Sequence, residues 1–195
     1  MSVNIIGFSG RAGSGKTTAA EHLALTHSFK RVSFADPLRE MLYGLGVSYD
    51  VMRGPGKELP HADLLGQTPR HALQTLGTEW GRKCMGEDFW VGIAEREIHF
   101  HRRLGNRVVI DDVRFPNEVK MIREMGGMVI HIIGGKSEPL QAGAHESETQ
   151  ELGRDWLIRN DLNSNLMPGL LDAIIWNESL TPAEAEKLVL ERDAL

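Results

Sequence analysis

The sequence predicts an α/β fold, a mostly parallel sheet of five strands with helices covering both faces. Two observations carry this. Short apolar runs alternate with stretches of helical periodicity, the order that produces parallel strands joined by crossover helices. The first run, Asn4-Ile5-Ile6-Gly7-Phe8-Ser9, leads through a glycine-rich turn into a helix whose Ala19, Ala20, Leu23 and Ala24 share one side.

The remaining elements follow in order. Arg31 to Ala35 reads as a second strand, and a helix starts at Asp36 with Pro37 in its first turn. Asp88-Phe89-Trp90-Val91 opens a helix that Asp88 can cap. Arg107 to Asp111 is a short buried strand. Pro116 then begins a helix in which Val119, Ile122 and Met125 recur at helical spacing, closed by Gly126-Gly127. Met128 to Ile133 is the fourth strand and Trp156-Leu157-Ile158 the fifth. Thr181-Pro182-Ala183-Glu184 is a capping-box pattern for a C-terminal helix. Residues 44–69, rich in Gly and Pro, and 134–150 interrupt the alternation. On a single domain spanning 1–195 they read as inserted flaps, since long irregular segments in a compact domain are often lids.

Composition narrows the function classes. Hydrophobic content of 41% and charged content of 25% are those of a globular protein with an ordinary core. A net charge of -5 argues against a general basic surface for nucleic acid, while leaving room for a local basic cleft that takes small phosphorylated ligands. Cys84 is the only cysteine, so no intrachain disulfide forms. With no apolar run of membrane-spanning length and no leader-like start, a cytoplasmic protein is expected.

The turn after the first strand, Gly10-Arg11-Ala12-Gly13-Ser14-Gly15-Lys16-Thr17, matches G-x-x-x-x-G-K-[ST], the phosphate-binding P-loop. Glycines let backbone N–H groups converge on phosphate oxygens, and the following helix N-terminus adds partial positive charge. Lys16 is placed to reach the β- and γ-phosphates, and the Thr17 hydroxyl to ligate Mg²⁺. The strand ending in Asp111-Asp112 puts acid at the carboxyl end of a parallel strand, where open α/β sheets bind ligands. There Asp112 can hold Mg²⁺ or contact an acceptor. Arg114, Asn117 and Glu118 follow at once, with a solvated helix start as the alternative for Glu118.

Thr68 to Arg82 reads as a helix with Leu73, Leu76 and Trp80 on a core side and Arg70, Gln74, Gly77 and Gly81 on another. Arg70 and Gln74 pair a phosphate grip with an amide able to read a base. Each helical glycine costs about 1 kcal/mol relative to alanine. Close approach of a ligand or another backbone would explain them, and so would a helix that ends near Gly77. Trp90 reads as core by residue type, with stacking on a base as the alternative. His99 and His101 are two apart, and His145-Glu146-Ser147-Glu148 lacks the second His of H-E-x-x-H, so no zinc site is expected.

GFSGRAGSGKTTAAEHL, VSFADPLREML, TPRHALQTLGTEWGR with DFWV after it, and VVIDDVRFPNEVKMIREMGGMVIHI together resemble the bacteriophage deoxynucleoside monophosphate kinases, a branch of the P-loop nucleoside-monophosphate kinases. HESE and Ile158 to Asp161 also fit. The resemblance implies a three-layer P-loop kinase fold. It also implies transfer of the ATP γ-phosphoryl group, with Mg²⁺, to a deoxynucleoside 5′-monophosphate. Gly13, Ser14, Gly15, Lys16, Thr17 and Thr18 would then hold the ATP phosphates, with Thr17 and Asp112 on the metal. Arg11, Arg70, Gly77, Thr78, Trp90, Asp112, Arg114 and Glu118 would line the acceptor site, with Asp36 a further contact. Residues 44–69 become its acceptor-binding side and 134–150 a lid, whose cations are Lys136 and the following Arg154. The expected partner is a small nucleotide acceptor, without nucleic acid polymer or membrane, and a homodimer is compatible. Another small-acceptor kinase, dephospho-coenzyme A kinase-like or shikimate kinase-like, would share Lys16 and Thr17. A nucleotide-binding switch would bind nucleotide without acceptor-dependent turnover.

Overall fold

A strand covered on both faces must be apolar at nearly every position, and β1 (Ile5–Ser9) is buried at all five residues. In this computed structural model, which describes residues 3–136, 152–160, 166–176, 181 and 184, β1 is the centre of the sheet. It is joined by β2 (Lys30–Val32), β3 (Val108–Ile110), β4 (Met128–Gly134) and β5 (Trp156–Asn160). The order is β2-β3-β1-β4-β5, and every neighbouring pair is parallel. Register places Gly7 beside Ile110 on one side and Ser9 beside His131 on the other. A wholly parallel sheet brings all five carboxyl ends to one edge, and that edge positions the site.

The chain divides into two compact units, Met1–Val32 with Glu97–Leu195, and Ser33–Arg96. The first holds the sheet. Side chains alternate across it, so Ile6 and Phe8 point into a core shared with Ala19, Ala20 and Leu23 of α1 (Lys16–His27). Met167, Leu170, Leu171 and Ile174 complete that core. They belong to the last described helix, Leu166–Trp176. Gly7 points the other way, where an added Cβ would stand 2.6 Å from Ile122 Cδ1 and 2.9 Å from Val113 Cγ2. Ile122 lies on the helix Pro116–Glu124, which ends as the sequence predicts: Gly126, at φ +78°, turns the chain while Gly127 N–H donates to the Ile122 carbonyl.

In the second unit α2 (Asp36–Gly44) begins with Pro37 in its first turn. The strand expected to reach Ala35 stops at Val32, because the Ser33 hydroxyl accepts from Ala35 N–H and the Ser33 carbonyl from Asp36 N–H. The stretch 44–69 holds more regular structure than its Gly and Pro content suggests. It includes α3 (Tyr49–Arg53), capped by Ser48, and two 3₁₀ turns, Pro55–Glu58 and Ala62–Leu64. Leu42, Val47 and Met52 form its core, with Leu73 and Leu76 against them. Then come α4 (Pro69–Gln74), a π-helical stretch Thr75–Met85, and α5 (Phe89–Arg103). In order along the chain, Pro116–Glu124 is α6 and Leu166–Trp176 is α7.

Thr181 and Glu184 form the expected capping box: Glu184 Oε2 accepts from Thr181 N–H at 2.7 Å, and Glu184 N–H donates to Thr181 Oγ1 at 3.4 Å. Residues 137–150, most of the expected lid with its HESE sequence, lie outside the described residues, as does Asp161. No helix among the described residues is long and apolar enough to cross a membrane.

Leu23 is wholly buried between α1 and the sheet. Leu23→Ala is expected to cost about 2–5 kcal/mol, read as a lower urea midpoint with an unchanged slope.

Candidate active site

The carboxyl edge of the sheet is built first from backbone. Gly10 sits at φ +135°, and a Cβ there would collide with the Ile132 carbonyl oxygen of β4. Gly15, at φ +106°, would strike Asn160 Nδ2 of β5. Only glycine tolerates either position. The loop between them is held from behind. Asn160 Nδ2 donates to the Ser14 carbonyl at 2.8 Å, and Lys136 N–H donates to the Gly13 carbonyl at 2.9 Å.

The front of the loop is prepared for an anion. Gly15 caps α1 without a side-chain acceptor, and the first turn of α1 carries no acid, so its N–H groups keep their pull on negative charge. Ser14 is 1% exposed, and its buried Oγ has no hydrogen-bond partner, a cost that a bound oxygen would relieve. Lys16 Nζ donates to the Gly10 and Arg11 carbonyls, each at 2.7 Å. Thr17, Thr18 and Arg11 are exposed. The orphan hydroxyl, the uncapped helix and the lysine together fit a polyphosphate.

Next to the loop, β3 ends in two acids with different fates. Asp111 accepts from Arg31 Nη2 at 2.8 Å, and Arg31 also approaches Glu21 at 3.4 Å. Asp112 is buried, 9% exposed. With the Thr17 hydroxyl it offers hard oxygen donors of the kind Mg²⁺ prefers. Glu118 is 2% exposed, which excludes the solvated-helix reading. Its Oε2 accepts from the N–H groups of Arg114 at 2.6 Å and Phe115 at 3.0 Å. Glu118 therefore braces the turn that carries the half-buried Arg114.

The other residues singled out in the sequence belong to the second unit. Asp36 Oδ1 accepts from Arg39 Nη1 at 2.7 Å, with Arg53 Nη2 3.7 Å away. Arg70 is half-buried and pairs with Glu58 at 2.6 Å. Thr78 is buried, and Gln74 and Gly77 are half-buried. Trp90 is 3% exposed and its Nε1 donates to the Gly77 carbonyl at 2.8 Å.

The helix holding these residues neither ends at Gly77 nor stays α. It shifts to π geometry at Thr75 and runs to Met85, so its spacing widens to i→i+5. Gly81 is needed because a Cβ would enter the Trp90 indole. Trp80 is corrected: a wheel drawn at 3.6 residues places it in the core, whereas it is 37% exposed and stacks edge-on against Phe89 at 5.6 Å.

Sequence reasoning passed over His131, read only as part of a strand, and left Asn160 without a role. The signal for His131 was a polar residue inside Met-Val-Ile-His-Ile-Ile. Its Nδ1 lies 2.9 Å from Ser9 Oγ across the β1–β4 register. Burial, then the positive charges of Arg154 and Lys16, hold the His131 ring below its usual pKa.

The family model for deoxynucleotide monophosphate kinases matches residues 66–166, a segment that carries Arg70, Gln74, Gly77, Thr78, Trp90, Asp112, Arg114 and Glu118. The chain is 38% identical over 141 residues to a protein of Acanthamoeba polyphaga mimivirus named as a deoxynucleotide monophosphate kinase, covering 66% of this chain and 72% of that one. It is 33% identical over 87 residues to the deoxynucleoside-5′-monophosphate kinase of Escherichia phage T5. That match covers 42% of this chain and 34% of the phage protein. An unliganded sugar kinase from Janibacter sp. HTCC2649 aligns with a TM-score of 0.40 at 19% identity, covering 93% of this chain and 97% of that one.

A histidine whose folded pKa is lowered favours the neutral ring in the native state, while the unfolded chain titrates near about 6.5. Its contribution is complete above that value and is lost as pH falls through the folded pKa. The urea midpoint is expected to drop between about pH 7.5 and about pH 5.5, and His131→Gln to shrink that drop.

Proposed function

This chain belongs to the deoxynucleotide monophosphate kinase family, and from that premise we propose that it transfers the γ-phosphoryl group of ATP to the 5′-phosphate of a deoxynucleoside monophosphate. A bond forms between an acceptor phosphate oxygen and the γ-phosphorus, and the bond from that phosphorus to the ADP oxygen breaks. The observation that carries the reading is the phosphate loop, with its uncapped helix, its unpartnered buried Ser14 hydroxyl and Lys16 folded over two loop carbonyls.

The chain's own groups act by position and charge. Gly13, Ser14, Gly15 and Thr18 cradle the donor phosphates, and Lys16 exchanges its two carbonyl partners for β- and γ-phosphate oxygens. Thr17 and Asp112 would hold Mg²⁺, which supplies charge neutralisation to the transferring group. On the first unit Arg114 and Arg11 are the cations proposed for the acceptor phosphate, and on the second unit Arg70 is the candidate for the same role. Gln74, Gly77 and Thr78 contact the nucleoside, with Trp90 beneath them and Asp36 a further acceptor contact. A phosphomonoester has its second pKa near about 6, so the attacking oxygen is already ionised at neutral pH and no general base is required. Asp112 and Glu118 are accordingly positioning groups. Glu118 acts through the backbone of Arg114.

Purified protein given ATP, Mg²⁺ and each deoxynucleoside monophosphate in turn should form the corresponding diphosphate, followed by chromatography. Lys16→Ala should lower kcat/KM about a hundred- to a thousandfold with an unchanged far-ultraviolet dichroism spectrum. A folded variant that turns over like the parent would remove Lys16 from the reaction.

A further inference from the structure

At the far end of α1 from the phosphate loop, three side chains converge on one point. His22 Nε2 lies 2.6 Å and His27 Nε2 2.8 Å from the same oxygen, Asp172 Oδ1 of α7. All three ligand atoms lie within 4.8 Å of one another. The side chains are shielded, at 20%, 7% and 21% exposure. Among the described residues this is the only group of three or more His, Cys, Asp or Glu side chains so arranged.

We propose that His22, His27 and Asp172 bind one zinc-class divalent ion that ties α1 to α7. Two imidazoles and a carboxylate are a three-ligand set for such an ion, with water completing a tetrahedron. Bonds of about 2.0–2.2 Å put tetrahedral ligand atoms about 3.3 Å apart. The two histidine–carboxylate separations, 2.6 and 2.8 Å, therefore open by about 0.5–0.7 Å. Imidazole nitrogen selects zinc, copper or nickel over Mg²⁺, which prefers an all-oxygen shell, so the site is distinct from the metal of phosphoryl transfer.

A ring that binds the ion through Nε2 carries its proton on Nδ1. For His22 the Thr26 hydroxyl stands 3.5 Å from Nδ1 to receive it, an outer partner of the kind that orients metal-bound imidazole.

The consequence reaches the phosphate site. α1 starts at Lys16, about 9 Å along its axis from His22. α7 follows β5, whose Asn160 holds the Ser14 carbonyl. An ion at the cluster therefore fastens together the two helices attached to either side of that grip. The sequence conceals the set, because His22 and His27 form an H-x4-H pair with no second ligand pair near it and Asp172 lies 145 residues beyond His27.

The test titrates the full, chelator-stripped chain with Zn²⁺ by calorimetry and thermal unfolding, and with Co²⁺ by visible absorption. One ion per chain, a Zn²⁺-induced rise in Tm and a Co²⁺ band displaced by Zn²⁺ are expected. His22→Gln and Asp172→Asn should each weaken Zn²⁺ binding by at least about tenfold, whereas His99→Gln should bind as the parent does. Histidine side-chain NMR of the unmodified chain decides the matter even if a variant fails to fold, since Zn²⁺ must hold two rings in the Nδ1-protonated form. Absence of saturable one-to-one binding, equal binding by the cluster variants, or rings not Nδ1-protonated with Zn²⁺ present each overturn the site.

Discussion

The loop from Gly10 to Thr17 touches backbone so closely that the surrounding strands have little freedom. Gly10 lies against the Ile132 carbonyl, Gly15 against Asn160, and Gly135 would place a Cβ 2.6 Å from the Gly13 carbonyl. These approaches fix where β4 and β5 end relative to β1. Because the sheet is wholly parallel, β3 ends at the same edge and delivers Asp112 and Arg114 there. An anion site made of main-chain N–H groups needs this rigidity, since its donors cannot be reoriented by rotamer changes.

Charge at that edge is sorted by pairing. Two acids end β3, but Arg31 engages Asp111 and leaves Asp112 as the buried one. Glu118 accepts from two backbone N–H groups and so stiffens the start of α6. His131 stays neutral beside the cations Arg154 and Lys16, so the edge does not acquire a further positive charge near neutral pH. The protein as a whole is acidic at -5, and the basic character needed for phosphate is local to a few side chains.

In the second unit the governing fact is a change of helical period. The step from α to π geometry at Thr75 allows the buried indole of Trp90 to lie against Gly81 and bond the Gly77 carbonyl. Of the two glycines that looked costly in an α-helix, Gly81 is explained by that indole, which a Cβ would enter, whereas Gly77 lends it only a main-chain acceptor and a Cβ there would meet ordinary contacts with Leu38. π segments occur often at functional sites, and Thr78, Gly77 and Trp90 all lie on or against this one.

Local rules determined much of what is seen. The five strands, the phosphate loop, the proline-led starts of α2 and α6, the glycine stop of α6 and the Thr181–Glu184 capping box follow from residues within a few positions of each other. Short-range sterics and hydrogen bonding set those outcomes. Where the reading failed, a distant partner had taken over. Trp80 was misplaced because the segment leaves the 3.6-residue period at Thr75, where Trp90 packs against Gly81. Glu118, for which a solvated helix start was one reading, is instead buried and braces the Arg114–Phe115 turn. The cluster of His22, His27 and Asp172 went unread because only the packing of α7 against α1 brings it together. Periodicity and propensity are properties of neighbours along the chain, whereas the partner of a buried charge or ring is chosen by packing, which brings together residues that the sequence keeps far apart.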